Sequence, residues 1–273
     1  MAWGLHTEEV DLTWAGWASE QAASAAGELP KTTAVADGVT YYYKASSYDP
    51  ELGLYGVEAQ NELVVSRVLD CLGVPHARYE LYNARFSVGE CKLHGWVSRA
   101  ASYIRPGDER ISLGSFCMAH GIDNGMDALR ACKAAGLWKG MCQMAVVDYL
   151  VANRDRHSSN VELLLAADGT LRLAPLFDFG LSFVAPYAKR PEDIASFDPL
   201  RRLPANNAIG MTILDENLRL VDLDVIPGAL DARKIGCILG DLEGVLPREH
   251  LEKTAEMLER RWERYEELRD LEG

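Results

Sequence analysis

The chain has 273 residues, with 28 Lys and Arg against 41 Asp and Glu, giving a formal net charge of −13. That balance repels phosphate backbones and anionic lipid, so it argues against direct nucleic-acid binding and against adhesion to an acidic membrane face. With 48% hydrophobic and 25% charged residues, the composition is that of a globular chain able to build a sizeable core without staples.

The N-terminal stretch MAWGLHTEEVDL has neither a basic flank nor an apolar run, which points to a soluble, cytoplasmic protein. Runs of β-branched and aromatic residues predict strands at Asp11–Trp17 and at Val39–Ala45, the latter preceded by the turn signal Asp37-Gly38. A helix is expected over residues 55–75, with Val57, Val64, Val68 and Leu72 as its stripe and Gly73 followed by Pro75 as its stop. Strand-like pieces follow at 77–86 and 92–101. Beyond about residue 104 the period becomes helical, near Leu113–His120, Gly125–Ala135 and Leu137–Ala152. Two short strands at 161–166 and 171–176 are joined by Asp168-Gly169, a strong hairpin signal. A charge-mixed loop covers roughly Pro186–Asn207. The end is an amphipathic helix with Leu251, Ala255, Leu258, Trp262, Tyr265 and Leu268 on one stripe, read as docked on the core. The six cysteines are scattered, with no metal-ligand spacing, and read as reduced thiols.

This order predicts an α+β, bilobal architecture: a small β-rich N-terminal lobe (1–103) with one long helix, then a larger helical lobe (104–273), with a ligand cleft between them.

The chemistry concentrates in Asn153-Arg154-Asp155-Arg156-His157-Ser158-Ser159-Asn160 and, after the hairpin, Phe177-Asp178-Phe179-Gly180. Phosphoryl transfer needs a carboxylate that orients a hydroxyl nucleophile, a role that suits Asp155. It also needs oxygen ligands for Mg²⁺, which suit Asn160 and Asp178. Either motif alone is common by chance; their order, with a helix before the first and a hairpin between them, makes them specific.

The DRHxxN loop followed by DFG resembles the HipA-like serine/threonine kinases of bacteria, including the smaller CtkA-like members. Phosphoinositide kinases share the motif pair, but the longer string VVDYLVANRDRHSSN is more HipA-like. The resemblance is strong over Val146–Phe183 and weaker over Thr40–Pro75. It implies a protein-kinase-like fold, ATP and Mg²⁺ as cofactors, and a protein Ser/Thr hydroxyl as substrate. By position, Asp155 is the implied catalytic aspartate and Asn160 and Asp178 the metal ligands. His157 either braces the loop or contacts phosphate, and Asp148, in an apolar helix, buttresses the loop by accepting from its backbone N–H groups.

The same resemblance makes Lys44 the cation for the nucleotide phosphates and Glu62 its helix partner, with Glu58 in reserve. Neither a Walker loop nor GxGxxG is present, so the phosphate-covering loop is placed at residues 24–33, with Gly27 and Lys31 as contacts. Ser24 there, or less favourably Thr32 or Thr33, is the expected autophosphorylation site. Adenine is placed by order of elements alone at a hinge of Val97, Ser98 and Arg99. A toxin role with a small antitoxin or companion subunit is a further implication. The rival readings are a lipid or small-molecule phosphotransferase of the same fold, or a nucleotide-binding pseudokinase scaffold.

Overall fold

The computed structural model describes residues 3–21, 28–51 and 53–272. The N-terminal part comprises β1 (Leu5–Asp11), β2 (Ala18–Gln21), β3 (Glu28–Ala36), β4 (Val39–Ala45), the two-residue strands β5 (Tyr48–Asp49) and β6 (Gly53–Leu54), α1 (Glu58–Leu72), β7 (Tyr79–Val88) and β8 (Cys91–Ala101). Its strands form one sheet in the order β1-β7-β8-β4-β3-β5-β6, with β2 on β3. All pairings are antiparallel except β1 with β7. Asp37 and Gly38 both take positive φ, 50° and 76°, the backbone of a two-residue hairpin whose twist matches its strands. That turn joins β3 to β4 and sets Lys31 directly opposite Lys44.

The long helix α1 stops where the sequence places its stop. Gly73 adopts φ 68°, and Val74 N–H donates back to Leu69 O at 3.1 Å. Unlike an ordinary surface helix, α1 is buried nearly all round, its polar residues Glu58, Gln60, Asn61, Glu62 and Arg67 included. One side packs on the sheet and the other faces the C-terminal part, so every polar group on it must find a partner inside the protein.

The C-terminal part contains β9 (Glu109–Ser112), α2 (Leu113–His120), α3 (Met126–Ala134), α4 (Trp138–Leu150), β10 (Glu162–Leu165), β11 (Leu171–Leu173), a 3-10 turn at Ala185–Tyr187, α5 (Glu192–Ala195), α6 (Leu214–Asn217), α7 (Ala232–Leu239) and α8 (Arg248–Glu272). A small antiparallel sheet, β11-β10-β9, lies at its entrance, with Gly169 at φ 84° in the β10–β11 turn. One apolar core runs through α1, α4 and α8; a smaller one lies within the large sheet. Trp262 and Tyr265 of α8 are buried, and the Tyr265 hydroxyl donates to Leu223 O at 2.5 Å, so the helix is docked. Among the described residues no helix is long and apolar enough to cross a membrane, and the six cysteines are free, three of them buried.

Three expectations change. The segment read as a phosphate-covering loop is largely strand β3, which takes in Lys31, Thr32 and Thr33; strand pairing with β4 overrides its loop-like composition. The strand expected at Asp11–Trp17 begins earlier, as β1, and Asp11 ends it by accepting from Thr13 N–H at 2.9 Å in an Asx turn. Finally, the segment Pro186–Asn207 holds a short helix, α5, rather than loop throughout.

Candidate active site

Strand β4 delivers Lys44 and helix α1 delivers Glu62 to the same place. The Lys44 ammonium lies 3.5 Å from Glu62 Oε1 and 2.5 Å from Asp178 Oδ1. Glu62 is 1% exposed, and its second oxygen accepts from Phe179 N–H at 2.9 Å. One residue earlier on α1, Asn61 Nδ2 donates to Gly180 O at 2.9 Å and to Ser182 O at 3.0 Å. Helix α1 thus holds the Asp178-Phe179-Gly180 segment by its backbone. Glu58 is engaged elsewhere, accepting from the Ser47 N–H at 3.0 Å and from the Ser47 hydroxyl. Gly180 lets this segment approach α1 closely, since a Cβ there would sit 3.0 Å from the Glu58 Cβ. Asp178 itself adopts φ 57°, a conformation that stores about 1 kcal/mol or more in a non-glycine residue.

Two carboxylates around one ammonium leave a surplus negative charge in a poorly solvated place. Burial pushes Glu62 up to about 7, against the pull of Lys44. Asp178 is held below its usual range despite burial, because it has the closer contact with Lys44. Burial alone would lower Lys44, but Asp178 and then Glu62 raise it above the ordinary ammonium range.

The loop after α4 carries the second motif. Arg156 is 1% exposed and makes a bidentate pair with Asp148 of α4, Nη2 to Oδ1 at 2.8 Å and Nε to Oδ2 at 3.0 Å. Its Nη1 donates to Asn160 O at 2.9 Å and to Phe177 O at 2.8 Å. One guanidinium therefore ties the end of the Asp155 loop to the residue before Asp178. Asn153 Nδ2 also donates to Asp148, at 2.9 Å, so the Asp148 carboxylate is met by side chains rather than by the backbone N–H groups expected of it. Asp155 is left more open, its side chain 30% exposed. Asn206 Nδ2 donates to its Oδ1 at 3.2 Å, and His157 Nε2 lies 3.8 Å from its Oδ2. His157 Nδ1 accepts from Ser159 N–H at 3.2 Å, which braces the loop. Asn160 Nδ2 donates to Asp155 O at 2.9 Å, leaving its amide oxygen as what it offers outward.

Between the large sheet and the C-terminal part lies a cleft of about 700 Å³, lined among others by Lys31, Lys44, Tyr103, Ile104, Phe177 and Asp178. Its wall mixes apolar and aromatic side chains with charged ones, Arg110 and Glu162 beside Tyr103 as well as Lys44 with Asp178, a mixed lining that can take a flat heterocycle joined to a polyanion. Lys31 and Lys44, opposite each other on β3 and β4, both contribute to its wall.

The structure brings together Lys44, Glu62 and Asp178, and it links Asp155, His157 and Asn160 in one loop beside them. It does not bring Val97, Ser98 and Arg99 to a hinge. They lie within β8, paired to Ala45, Lys44 and Tyr43 on one side and to Tyr82, Leu81 and Glu80 on the other. Arg99 is occupied by Glu80 and lies over the Tyr41 and Tyr82 rings at 4.6 and 4.7 Å. The chain beyond the end of β8, at Ser102 to Ile104, takes the position along the cleft instead. Gly27 and Ser24 fall outside the described residues. Sequence reasoning missed Arg156, Asn61, Tyr79 and Asn206. Arg156 had a signal, a charged residue inside the motif following an apolar helix that carries Asp148. Tyr79, whose hydroxyl accepts from Asp178 N–H at 3.4 Å, and Asn206 had none, because only the fold brings them near.

A lysine clasped by a helix glutamate and a DFG aspartate, beside a DRHxxN loop and under a β-sheet, defines a kinase-like fold. The family model for the HipA-like C-terminal domain matches residues 23–201, more than half of the chain, and the chain belongs to that family. The crystal structure of the Helicobacter pylori proinflammatory kinase CtkA is similar at TM-score 0.64 and 17% identity, covering 96% of this chain and 97% of that one. The Shewanella oneidensis MR-1 HipA–HipB toxin–antitoxin complex with its operator DNA includes a chain similar at TM-score 0.41 and 17% identity, with 90% of this chain and 58% of that one covered. A comparison with curated proteins finds no match.

Proposed function

We propose that the protein transfers the terminal phosphoryl group of ATP, with Mg²⁺, to a serine or threonine hydroxyl of a protein substrate. The observation that carries this reading is the placement of Lys44 between Glu62 and Asp178 in the wall of a cleft, next to the loop that presents Asp155. The Helicobacter pylori relative of the same fold is named a kinase, which agrees with it.

The donor set fits the group it implies. Among the described residues no cluster of three or more His, Cys, Asp or Glu side chains is arranged to hold a metal. What the site offers is two hard oxygen donors, the Asp178 carboxylate and the Asn160 amide, which suits Mg²⁺ completed by phosphate and water oxygens and does not suit zinc. When bound, the metal and nucleotide supply the transferable phosphoryl group and neutralise its developing charge. The rest falls to the chain. Lys44, kept charged by its two carboxylates, holds phosphate oxygens. Asp155 accepts a hydrogen bond from the incoming hydroxyl and holds it in line, and its exposure leaves room for a protein side chain. Arg156 keeps the two halves of the site in register.

Incubation with γ-labelled ATP and candidate protein substrates, comparing wild type with Asp155→Ala and Asp178→Asn, tests the reading. Transfer by wild type that is lost in both variants is expected; unchanged label in both variants overturns it. Autophosphorylation at Ser24, Thr32 or Thr33 is read from the same gels by mapping the label. A companion antitoxin subunit is an expectation from the family, tested by co-purification of the native complex.

A further inference from the structure

The segment 186–207 returns to the loop that carries Asp155 and runs beside it. Asn206 N–H donates to Arg154 O at 2.8 Å, and Ala208 N–H donates to Arg156 O at 2.9 Å. These two bonds bracket Asp155 in sequence, so the Asn206 side chain is delivered to the Asp155 carboxylate rather than reaching it by chance. Asn206 is exposed, yet its main chain is held by the pairing with Arg154 and its side-chain amide by the 3.2 Å bond to Asp155 Oδ1. The segment is itself anchored. Lys253 of α8 donates to Ala195 O at 3.1 Å and to Phe197 O at 2.9 Å, and Ala205 N–H donates to Thr212 O at 2.8 Å.

We infer that Asn206 is a positioning residue for Asp155: its amide N–H fixes the carboxylate rotamer so that the remaining lone pairs face the incoming hydroxyl. The inference rests on the kinase reading above and deepens it. A carboxylate on a loop can rotate about two side-chain torsions, and a misplacement of about 1 Å can cost on the order of a hundredfold in rate. A neutral amide donor restrains one oxygen without adding charge beside the site, whereas a lysine in its place would compete with substrate for the carboxylate. Because the donor sits on the segment 186–207, a protein substrate resting on that segment is mechanically linked to the group that orients its hydroxyl.

The test is steady-state transfer from ATP to a protein substrate by wild type, Asn206→Ala, Asn206→Asp and Asn206→Gln, with melting temperature measured alongside. Asn206→Ala is expected to lower kcat about tenfold or more, with the KM for ATP within about twofold of wild type, because the interaction matters in the transition state and not in nucleotide binding. Asn206→Asp keeps the shape but sets a second carboxylate against Asp155, so its kcat falls further. Asn206→Gln keeps a donor and recovers part of the loss. A merely structural role predicts instead that all three variants track their melting temperatures and shift KM with kcat, which overturns the inference. Wild-type transfer with kcat unchanged in Asn206→Ala and Asn206→Asp overturns it while leaving the kinase reading intact. No transfer by wild type to any protein overturns both.

Discussion

Arg156 and Asp148 form a bidentate ion pair inside the protein, each less than a tenth exposed, and the same guanidinium donates to the carbonyls of Asn160 and Phe177. A pair of this kind adds modest net stability when intact, but removing one partner strands a charge away from water. Asp148→Ala or Arg156→Met is therefore expected to lower unfolding free energy by about 3–5 kcal/mol. The double replacement should cost clearly less than the sum of the two, because it leaves no stranded charge. Denaturant midpoints of the four proteins decide it, and additive losses would show that the two side chains act independently.

Lys44 offers a second test of the site, in which the loss of activity is read beside the melting temperature because the same lysine balances two carboxylates. In Lys44→Met the two carboxylates Glu62 and Asp178 face one another without their cation, and the charge that the proposed reading sets against phosphate is gone. Transfer activity is expected to fall by about 10²–10³, the loss typical of removing a preorganised charge donor. Glu62→Gln should fall less, since Asp178 still holds the ammonium at 2.5 Å. The order of the two losses, measured as kcat/KM for ATP, is the outcome that matters; a larger loss in Glu62→Gln would contradict the geometry.

The raised Glu62 carboxyl gives the fold a pH dependence of definite sign. Burial lifts it from 4.5 to about 7, so the native state takes up a proton that the unfolded chain releases. That contribution is fully present below about 4.5 and is lost as the pH rises through about 7, amounting to about 3 kcal/mol at most. Asp178 works the opposite way: its lowered carboxyl adds stability above 3.8 that disappears as the pH falls further. Between pH 5 and 8 wild type should therefore lose stability in a manner that Glu62→Gln does not share. Parallel melting curves against pH for the two proteins would refute the assignment.

What could be read from the sequence divides along physical lines. Strand β4, helix α2 and the Gly73 stop of α1 rest on local signals, namely a β-branched run, an apolar period and a glycine at positive φ, and these place them within a residue or two. Strand β3 carried no such signal; it forms because β4 offers it a partner, and the loop reading of Lys31 to Thr33 failed for that reason. In the site, Asp155 and Asn160 share one loop and Asp178 follows the hairpin, and Arg156 ties that loop to Phe177, so the order of the two motifs anticipates which segments meet. The hinge assignment failed because Val97 to Arg99 were placed by counting elements, and nothing local distinguishes the middle of β8 from its end. Asn206 was invisible, since its chemistry comes from a loop that closes on Asp155 from 51 positions away.

The C-terminal helix gives a final contrast between a buried stripe and an exposed face of one element. Trp262 and Tyr265 are 4% and 0% exposed, pack against each other with ring centroids 5.1 Å apart, and belong to the main apolar core. Truncating either to alanine removes a large buried ring that its neighbours cannot fill, and is expected to cost about 3–5 kcal/mol. Tyr265→Phe isolates the hydroxyl, which donates to Leu223 O at 2.5 Å; leaving that carbonyl unpaired should cost about 1–2 kcal/mol. On the outer face, Arg248 and Glu252 form an i,i+4 pair with side chains 85% and 63% exposed, and replacing both with alanine should leave the melting temperature nearly unmoved. A helix whose stripe existed to receive a partner would show the reverse: Trp262→Ala would leave the melting temperature of the isolated chain unmoved, and that result would mean α8 is not part of the core.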